Sequence, residues 1–526
     1  MNRKRLPVGT QDFTRLRTTN SYYVDKTPLI RVLIEQGDNY FLSRPRRFGK
    51  SLLVSTIKAL FEGQEELFRG LDIYDHWDWS MTYPVVRLSF DGGYGQVGNV
   101  ESHSLKQLRR VAHAADIDLA QDITSGPEYL EEVIYRLYST TGKRVVILVD
   151  EYDKPILDVL SDPDLARANR DYLRGFYGII KGAAEHIRFV LVTGVSMFSK
   201  VSLFSGLNNL DDISLDSRYA TICGYTDKEI DRVFAPELVG LDRDQIRHWY
   251  NGYNWCGKER VYNPFGVLLL FRKRKFSSYW FETATPDFLF RLMESQQVSA
   301  IELEKQLASE VQMTKFDVHD IDLKALMFQT GYLTIVGEKE IWEERNYILD
   351  YPNLEVRKGF SRQFLMYLRQ KAEEISIAAG GLLQRLGEND FEGFARQLRT
   401  IIEGLPHHWY DHSNIHKYEA HYLSGLYMYL QAVGAHLHVE DASHRGRADM
   451  VVFHAGQVFV LEFKVAENKG KVQAKLDEAM VQMRRQGYGR KYLNRNEVIH
   501  LVAIVFGVDE RDLLGIRVEP LTCDRD

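Results

Sequence analysis

The run KRVVILVDEYDKPI (residues 143–156) limits what this chain can fold into more than any other stretch. Val145 to Val149 are apolar without interruption and lead into two acids, Asp150 and Glu151. A strand with no polar alternation is buried on both faces, which means the interior of a parallel sheet covered by helices. Two further apolar runs fit the same sheet, YPVVRLSF (83–90) and IRFVLVTGVS (187–196), with helical patterns between them. Alternating strands and helices predict a parallel α/β sheet that holds its ligand at the carboxyl ends of the strands.

A second run says what that ligand is. NYFLSRPRRFGKSLLVSTIKALFEG reads as a strand at Tyr40–Ser43, a loop, and a helix from about Lys50 with Leu52, Leu53, Ile57, Leu60 and Phe61 at helical spacing. Gly49 permits the turn, the amides after it point at a phosphate, and the helix N-terminus adds its dipole. Lys50 reaches β/γ-phosphates and Ser51 ligates Mg²⁺ in such a loop, and Arg46 and Arg47 add positive charge. The glycine expected five positions before Gly49 is replaced by Arg44. Asp150 then stands where the Mg²⁺ shell of ATP is held, and Glu151 where an attacking water is oriented and activated. Thr193 and Ser196, after the next strand, are candidates for a polar sensor.

These segments, with LPVGTQDFTRLRTTNSYYVDKTPLI, TGVSMFSKVSLFSGLNNLDDISLD and YNGYNW, resemble a bacterial AAA-ATPase-like family that often carries a C-terminal PD-(D/E)XK nuclease domain. In that family the RPRRFGKS form of the loop is usual, so Arg44 does not signal decay. From about 215 to 410 the chain is rich in helix patterns and aromatics, the place of an ATPase lid. Thr226 with Glu229 predicts a capping box. KALMFQTGYLTIVG (324–337) passes from helix to strand and suggests a small winged-helix-like module. Arg218 is a candidate phosphate sensor but reads more simply as a surface residue.

The last 120 residues or so carry a second chemistry. A helix at 417–434, a strand after it, a hairpin over 446–466, a helix at 471–486 and a strand at 498–507 give the order αβββαβ. In a strand, residues i and i+2 share a face, so Glu462 and Lys464 point together, and Asp449 on the paired strand comes within reach of the same ion. Two hard carboxylates suit Mg²⁺ or Mn²⁺ rather than zinc. Eight Lys/Arg against two acids between Lys469 and Arg495 suit a phosphate backbone. The region resembles the PD-(D/E)XK core. Asp449, Glu462 and Lys464 match its central residues, Glu419 an acid on the first helix, and Gln482 with Tyr488 a helical glutamine–tyrosine motif.

Composition sets the outer bounds. At 526 residues several domains are expected. No apolar run reaches the length of a membrane span. A net charge of −6 puts any nucleic-acid surface locally rather than globally. Three scattered cysteines suit a reducing cytoplasm. The histidines at 407, 408, 412, 436, 438 and 444 match no zinc spacing.

The reading is therefore an α/β multidomain chain: a P-loop ATPase core over 1–215, a helical lid and connecting region over 216–405, and a restriction-endonuclease-like domain over 406–526. The expected activities are ATP hydrolysis and Mg²⁺-dependent DNA cleavage, with Gln482 assisting Asp449, Glu462 and Lys464, in phage defence or mobile-element control. Assembly of like copies through the ATPase domain is a further expectation. RNA stays open as the polymer. So do a nucleotide-switched scaffold that binds nucleic acid without cutting it, and a DNA-translocating ATPase.

Overall fold

Hydrophobic runs separated in the sequence are gathered into two five-stranded sheets, one in each of two compact units. The computed structural model describes residues 3–119, 123–197, 209–281, 287–296, 298, 300–314, 321–369, 372–403, 415–443, 446–495, 497–508 and 512–521, without the side chains of 287, 369, 372, 415–421 and 442. Two compact units emerge, 1–289 with 305–355, and 290–304 with 356–526. The stretch 216–405 is shared between them.

In the first unit the elements are β1 (Asn39–Ser43), α1 (Lys50–Phe61), β2 (Val85–Ser89), α2 (Asn99–Ala114), α3 (Gly126–Thr141), β3 (Val145–Asp150), α4 (Pro163–Gly182), β4 (Ile187–Gly194) and β5 (Asp211–Asp212). The sheet is parallel, in the order β2-β3-β4-β1-β5. The step from β1 to β2 runs one way along the sheet, and the steps to β3 and β4 run back. Right-handed crossovers therefore set α1 on one face and α2, α3 and α4 on the other. All six residues of β3 are buried, as its unbroken apolar run requires. Because β4 lies between β1 and β3, the ends of all three strands meet at one edge.

The same unit continues through α5 (Asp227–Val233), α6 (Arg243–Tyr250) and α7 (Pro264–Lys273). The expected capping box is present: the Thr226 side chain accepts from the Glu229 amide, and the Glu229 carboxylate accepts from the Thr226 amide. Then come β6 (Gln306–Ser309), α8 (Glu310–Thr314), α9 (Leu323–Thr330), β7 (Thr334–Ile341) and β8 (Glu344–Asp350), with an antiparallel sheet in the order β6-β8-β7. The helix-to-strand change at 324–337 is thus α9 followed by β7. Leu323 and Ala325 to Gln329 of α9 are buried, so this helix packs inward.

The second unit holds α10 (Ala372–Gly387), α11 (Phe391–Glu403), α12 (Ile415–Val433), β9 (His436–Ala442), β10 (Arg447–His454), β11 (Gln457–Ala466), α13 (Val472–Gln486), β12 (Val498–Gly507) and β13 (Leu513–Pro520). The mixed sheet runs β13-β12-β11-β10-β9, parallel only between β11 and β12. Leu476, Ala479, Met480 and Met483 of α13 cover one face with Val458 and Val460. On the other face Phe463 stacks on Phe506, which stacks on Tyr422 of α12 with ring centroids 4.1 Å apart. The αβββαβ order is therefore present. It is extended by β13, which the sequence reading passed over.

Candidate functional sites

The loop between β1 and α1 turns at Gly49, whose φ of +98° belongs to the left-handed region. No atom lies within 4 Å of where a Cβ would sit there, so the backbone conformation, not space, calls for glycine. Gly49 caps α1, and Lys50 and Ser51 form its first turn. Arg47 has a φ of +67°, and its guanidinium lies 5.2 Å from the centre of the Phe265 ring. Lys50 is buried and donates from Nζ to the carbonyls of Arg44 (2.8 Å) and Pro45 (3.0 Å). Burial holds its ammonium below the usual lysine range.

Arg44, in the place of the usual glycine, does not face this loop's cavity. It is fully buried and donates to the carbonyls of Ser43 (2.8 Å), Ser214 (2.8 Å) and Tyr219 (3.2 Å), with its guanidinium 4.3 Å from the centre of the Trp255 ring. It ties β1 to the segment after β5. The loop is braced from α9's side as well: the Trp280 indole donates to the Arg46 carbonyl, and Gly331 packs against Pro45.

Asp150 and Glu151 close β3 beside this loop. Asp150 is buried, and its Oδ1 accepts from the Thr193 hydroxyl at 2.8 Å. Thr193 is thus joined to the first acid. Glu151 has a φ of +55° and lines the cavity. Burial first, and the Asp150 charge second, push its carboxyl above the usual glutamate range. Asp153 is a group the sequence reading passed over. It is buried, and its Oδ2 accepts from the amides of Val195 (3.0 Å) and Ser196 (2.6 Å) and from the Ser196 hydroxyl (2.5 Å). Ser196, the other sensor candidate, therefore sits on Asp153. Arg218 is mostly exposed, is paired with Asp216 and bonds Gln36, and it does not line the cavity.

The cavity, of about 310 Å³, runs from Arg46–Leu53 and Glu151 to an apolar end formed by Pro7, Tyr22, Val24, Tyr225, Phe265 and Leu268. Lys26 at its wall is bonded to both oxygens of Glu229 at 2.7 and 2.8 Å, which fastens the N-terminal segment to α5. The N-terminal lining was not foreseen, because nothing in LPVGTQDF or SYYVDK carries a charge pattern for phosphate.

In the second unit β11 is the central strand, buried along nearly all its length. Glu462 is only 1% exposed, and Lys464 lies beside it with Nζ 2.9 Å from Glu462 Oε1. A buried carboxylate is costly without a cation, so the pair is a condition of folding as well as a candidate for chemistry. Met450 pairs with Leu461, and the next rung sets Asp449 beside Glu462. Asp449 Oδ2 accepts the Phe463 amide at 2.7 Å, where the ladder ends. The three predicted residues are thus brought together on two adjoining strands. Among the described residues no cluster of three or more His, Cys, Asp or Glu exists to hold a metal. The Glu419 side chain and His407, His408, His412 and His444 lie outside the described residues. Gln482 on α13 donates to the Tyr488 hydroxyl at 3.4 Å, joining the two residues of that motif.

The basic excess between Lys469 and Arg495 is smaller in space than along the chain. Lys471 pairs with Glu467, Lys475 with Glu478, Arg484 with Glu519, and Lys491 with Asp441. Three of those acids lie outside the stretch. Lys469, Arg485 and Arg490 make no ion pair among the described residues.

Residues 7–204 match the family model described as "Predicted AAA-ATPase", and residues 417–514 match the "PD-(D/E)XK nuclease superfamily" model. The chain is 46% identical over 522 residues to the "Uncharacterized protein in vnfD 5'region" of Azotobacter chroococcum mcd 1, an alignment covering 99% of this chain and 100% of that protein. No solved structure matches.

Proposed function

Because the chain belongs to the family that joins an AAA-ATPase-like domain to a PD-(D/E)XK nuclease domain, we propose that it hydrolyses ATP in the first unit and cuts DNA with the second. The observation that carries the nuclease half is the Glu462–Lys464 pair buried in a central strand next to Asp449.

In the first unit the triphosphate lies along the loop Arg47–Ser51, with Lys50 leaving the two carbonyls it now holds to bond the phosphates. The apolar end of the cavity takes the base. Ser51 and Asp150 present the hard oxygen donors that suit a nucleotide-bound Mg²⁺, which would neutralise developing phosphate charge. Glu151, lining the cavity with a raised pKa, takes the proton of the attacking water. Asp150 is steadied by Thr193, and Asp153 fixes the turn that carries Ser196.

In the second unit Asp449 and Glu462 are an all-oxygen donor pair that fits Mg²⁺ or Mn²⁺. Such an ion supplies Lewis acidity toward a phosphodiester and activates water. Lys464 balances Glu462 and is placed to bond the scissile phosphate. Gln482, held by Tyr488, orients what enters from the α13 side. A cytoplasmic role in phage defence or mobile-element control is the setting this pairing of activities suits.

The test is cleavage of supercoiled and linear DNA by the full chain in Mg²⁺ or Mn²⁺, with and without ATP, beside Lys464→Ala. Metal-dependent cutting that disappears in Lys464→Ala, with ATP turnover unchanged, is expected. Undiminished cutting by Lys464→Ala would remove the assigned site. No cutting under any condition, with ATP still hydrolysed, would favour the nucleotide-switched scaffold.

A further inference from the structure

The helix α2 is amphipathic in an unusual way for an acidic protein. Val100, Ser104, Leu108 and Ala112 form its buried stripe. On the opposite side Ser102, Lys106, Arg109, Arg110 and His113 are all exposed, and they line one shallow surface depression with Leu105. At 100° per residue these five positions fall within about 100° of arc, and at 1.5 Å per residue they span about 16 Å along the axis.

The cations on this face are not neutralised. Among the described residues Lys106, Arg109 and Arg110 make no ion pair. Elsewhere in the same unit Arg136, Arg170, Arg188, Arg218 and Arg243 each hold an acid. The acid on α2 itself, Glu101, turns away and accepts the Gly126 amide at 3.3 Å. On neighbouring α3, Glu132 is taken by Arg136, and among the described residues exposed Glu128 and Glu131 make no ion pair with α2. Arg109 lies over the Tyr129 ring at 6.0 Å and stays exposed. Asp116 and Asp118 come only after the helix has ended. A row of like charges that holds no ion pair among the described residues is unfavourable by itself and gains when a polyanion covers it.

We propose that this face of α2 binds the phosphate backbone of duplex DNA, as a second contact separate from the nuclease unit. The inference rests on the DNA-cutting reading for its choice of polymer. The face carries no Phe, Tyr or Trp, so it lacks the stacking platforms by which single strands are held. A cationic helix face with an axial reach of about 16 Å fits into the major groove of B-DNA, about 12 Å wide, with its cations on the phosphates along the groove, whereas the deep, narrow major groove of duplex RNA does not admit a helix. The ATPase unit thereby touches the polymer that the other unit cuts.

The experiment measures binding of a labelled 30-base-pair DNA duplex to the full chain in EDTA, over 50–300 mM salt, so that no cutting intervenes. The variant is Lys106→Gln/Arg109→Gln/Arg110→Gln, which keeps good helix formers on the exposed face. Loss of three phosphate contacts lowers the slope of log affinity against log salt by about 2.7 and weakens binding more than about tenfold at 0.1 M salt. Unchanged basal ATP turnover certifies the fold. Lys106→Arg/Arg109→Lys/Arg110→Lys, which keeps the charges, restores both slope and affinity. Equal affinity and slope for the Gln variant would overturn the proposal while leaving the nuclease reading to its own cleavage assay. Stronger binding of a duplex RNA of the same length would overturn the choice of DNA. An absence of binding by the unaltered chain would overturn the proposal outright, whether or not cutting is seen.

Discussion

Replacing Arg44 by glycine restores the usual spacing of a phosphate loop and separates two roles for this side chain. If Arg44 served the phosphates, the glycine variant would fold as well as the parent and bind ATP more weakly. The structure implies the reverse emphasis. The guanidinium supplies three hydrogen bonds to carbonyls and stacks on Trp255. Bonds from a charged donor contribute about 1.5 kcal/mol each, and the stacking about 1 kcal/mol. Against this sum of about 5–6 kcal/mol stands the desolvation of a buried cation, several kcal/mol in general. That cost is visible in the Arg44 pKa, pushed down to about 10 by burial. A net loss of about 3 kcal/mol remains for Arg44→Gly. With a urea dependence of about 3 kcal/mol per molar, this moves the unfolding midpoint down by about 1 M. Urea titration followed by far-UV circular dichroism, with ATP turnover measured in parallel, reads both quantities. A midpoint within about 0.2 M of the parent, or about 0.6 kcal/mol at that slope, combined with a raised KM for ATP, would refute the structural role.

Two other changes test neighbouring parts of the same site. Glu151→Gln is expected to lower ATP turnover by about 10²-fold or more and to remove an acid limb in kcat/KM that lies above the usual glutamate range; a parent profile flat down to that range would count against Glu151 as base. Between its ordinary and its raised pKa the folded state holds more protons than the unfolded one, so this group's contribution to stability falls as pH rises through the raised value. Glu151→Gln should therefore stabilise more at neutral pH than in acid, which thermal unfolding at both pH values would show. Gly331 has a φ of +89°, and a Cβ there would lie 2.7 Å from Pro45. Gly331→Ala is expected to cost about 2–4 kcal/mol from strain and overpacking and to raise the KM for ATP. An unchanged KM in a destabilised variant would show that Pro45 does not position the loop.

Much of the molecule was legible where the signal is local. The unbroken run Val145–Val149 became the fully buried β3, because a strand with no polar side must have neighbours on both faces. Thr226 and Glu229 formed their reciprocal cap three residues apart, and Glu462 and Lys464 share a face because a strand repeats every second residue. The terminal strand β13 went unread: only IRVE alternates within LLGIRVEP, most of the strand is half-buried on both faces, and its ladder forms only by pairing with β12. The basic stretch around α13 looked richer in free charge than it is, because Glu467, Asp441 and Glu519 arrive from other elements.

What the sequence by itself determined, then, is which residues are candidates for the chemistry: Lys50, Ser51, Asp150 and Glu151 in one unit, and Asp449, Glu462 and Lys464 in the other. Tertiary structure decided what surrounds them. The strand order sets β4 between β1 and β3, so that Thr193 meets Asp150 and Ser196 meets Asp153. Folding also turns Arg44 away from the phosphate loop into the core, and brings Tyr22 and Phe265, more than two hundred residues apart, to one cavity. The physical reason is range. Helical and strand periods act between residues a few positions apart and can be read along the chain. A contact between distant residues depends on how the whole backbone closes, and no short spacing records it.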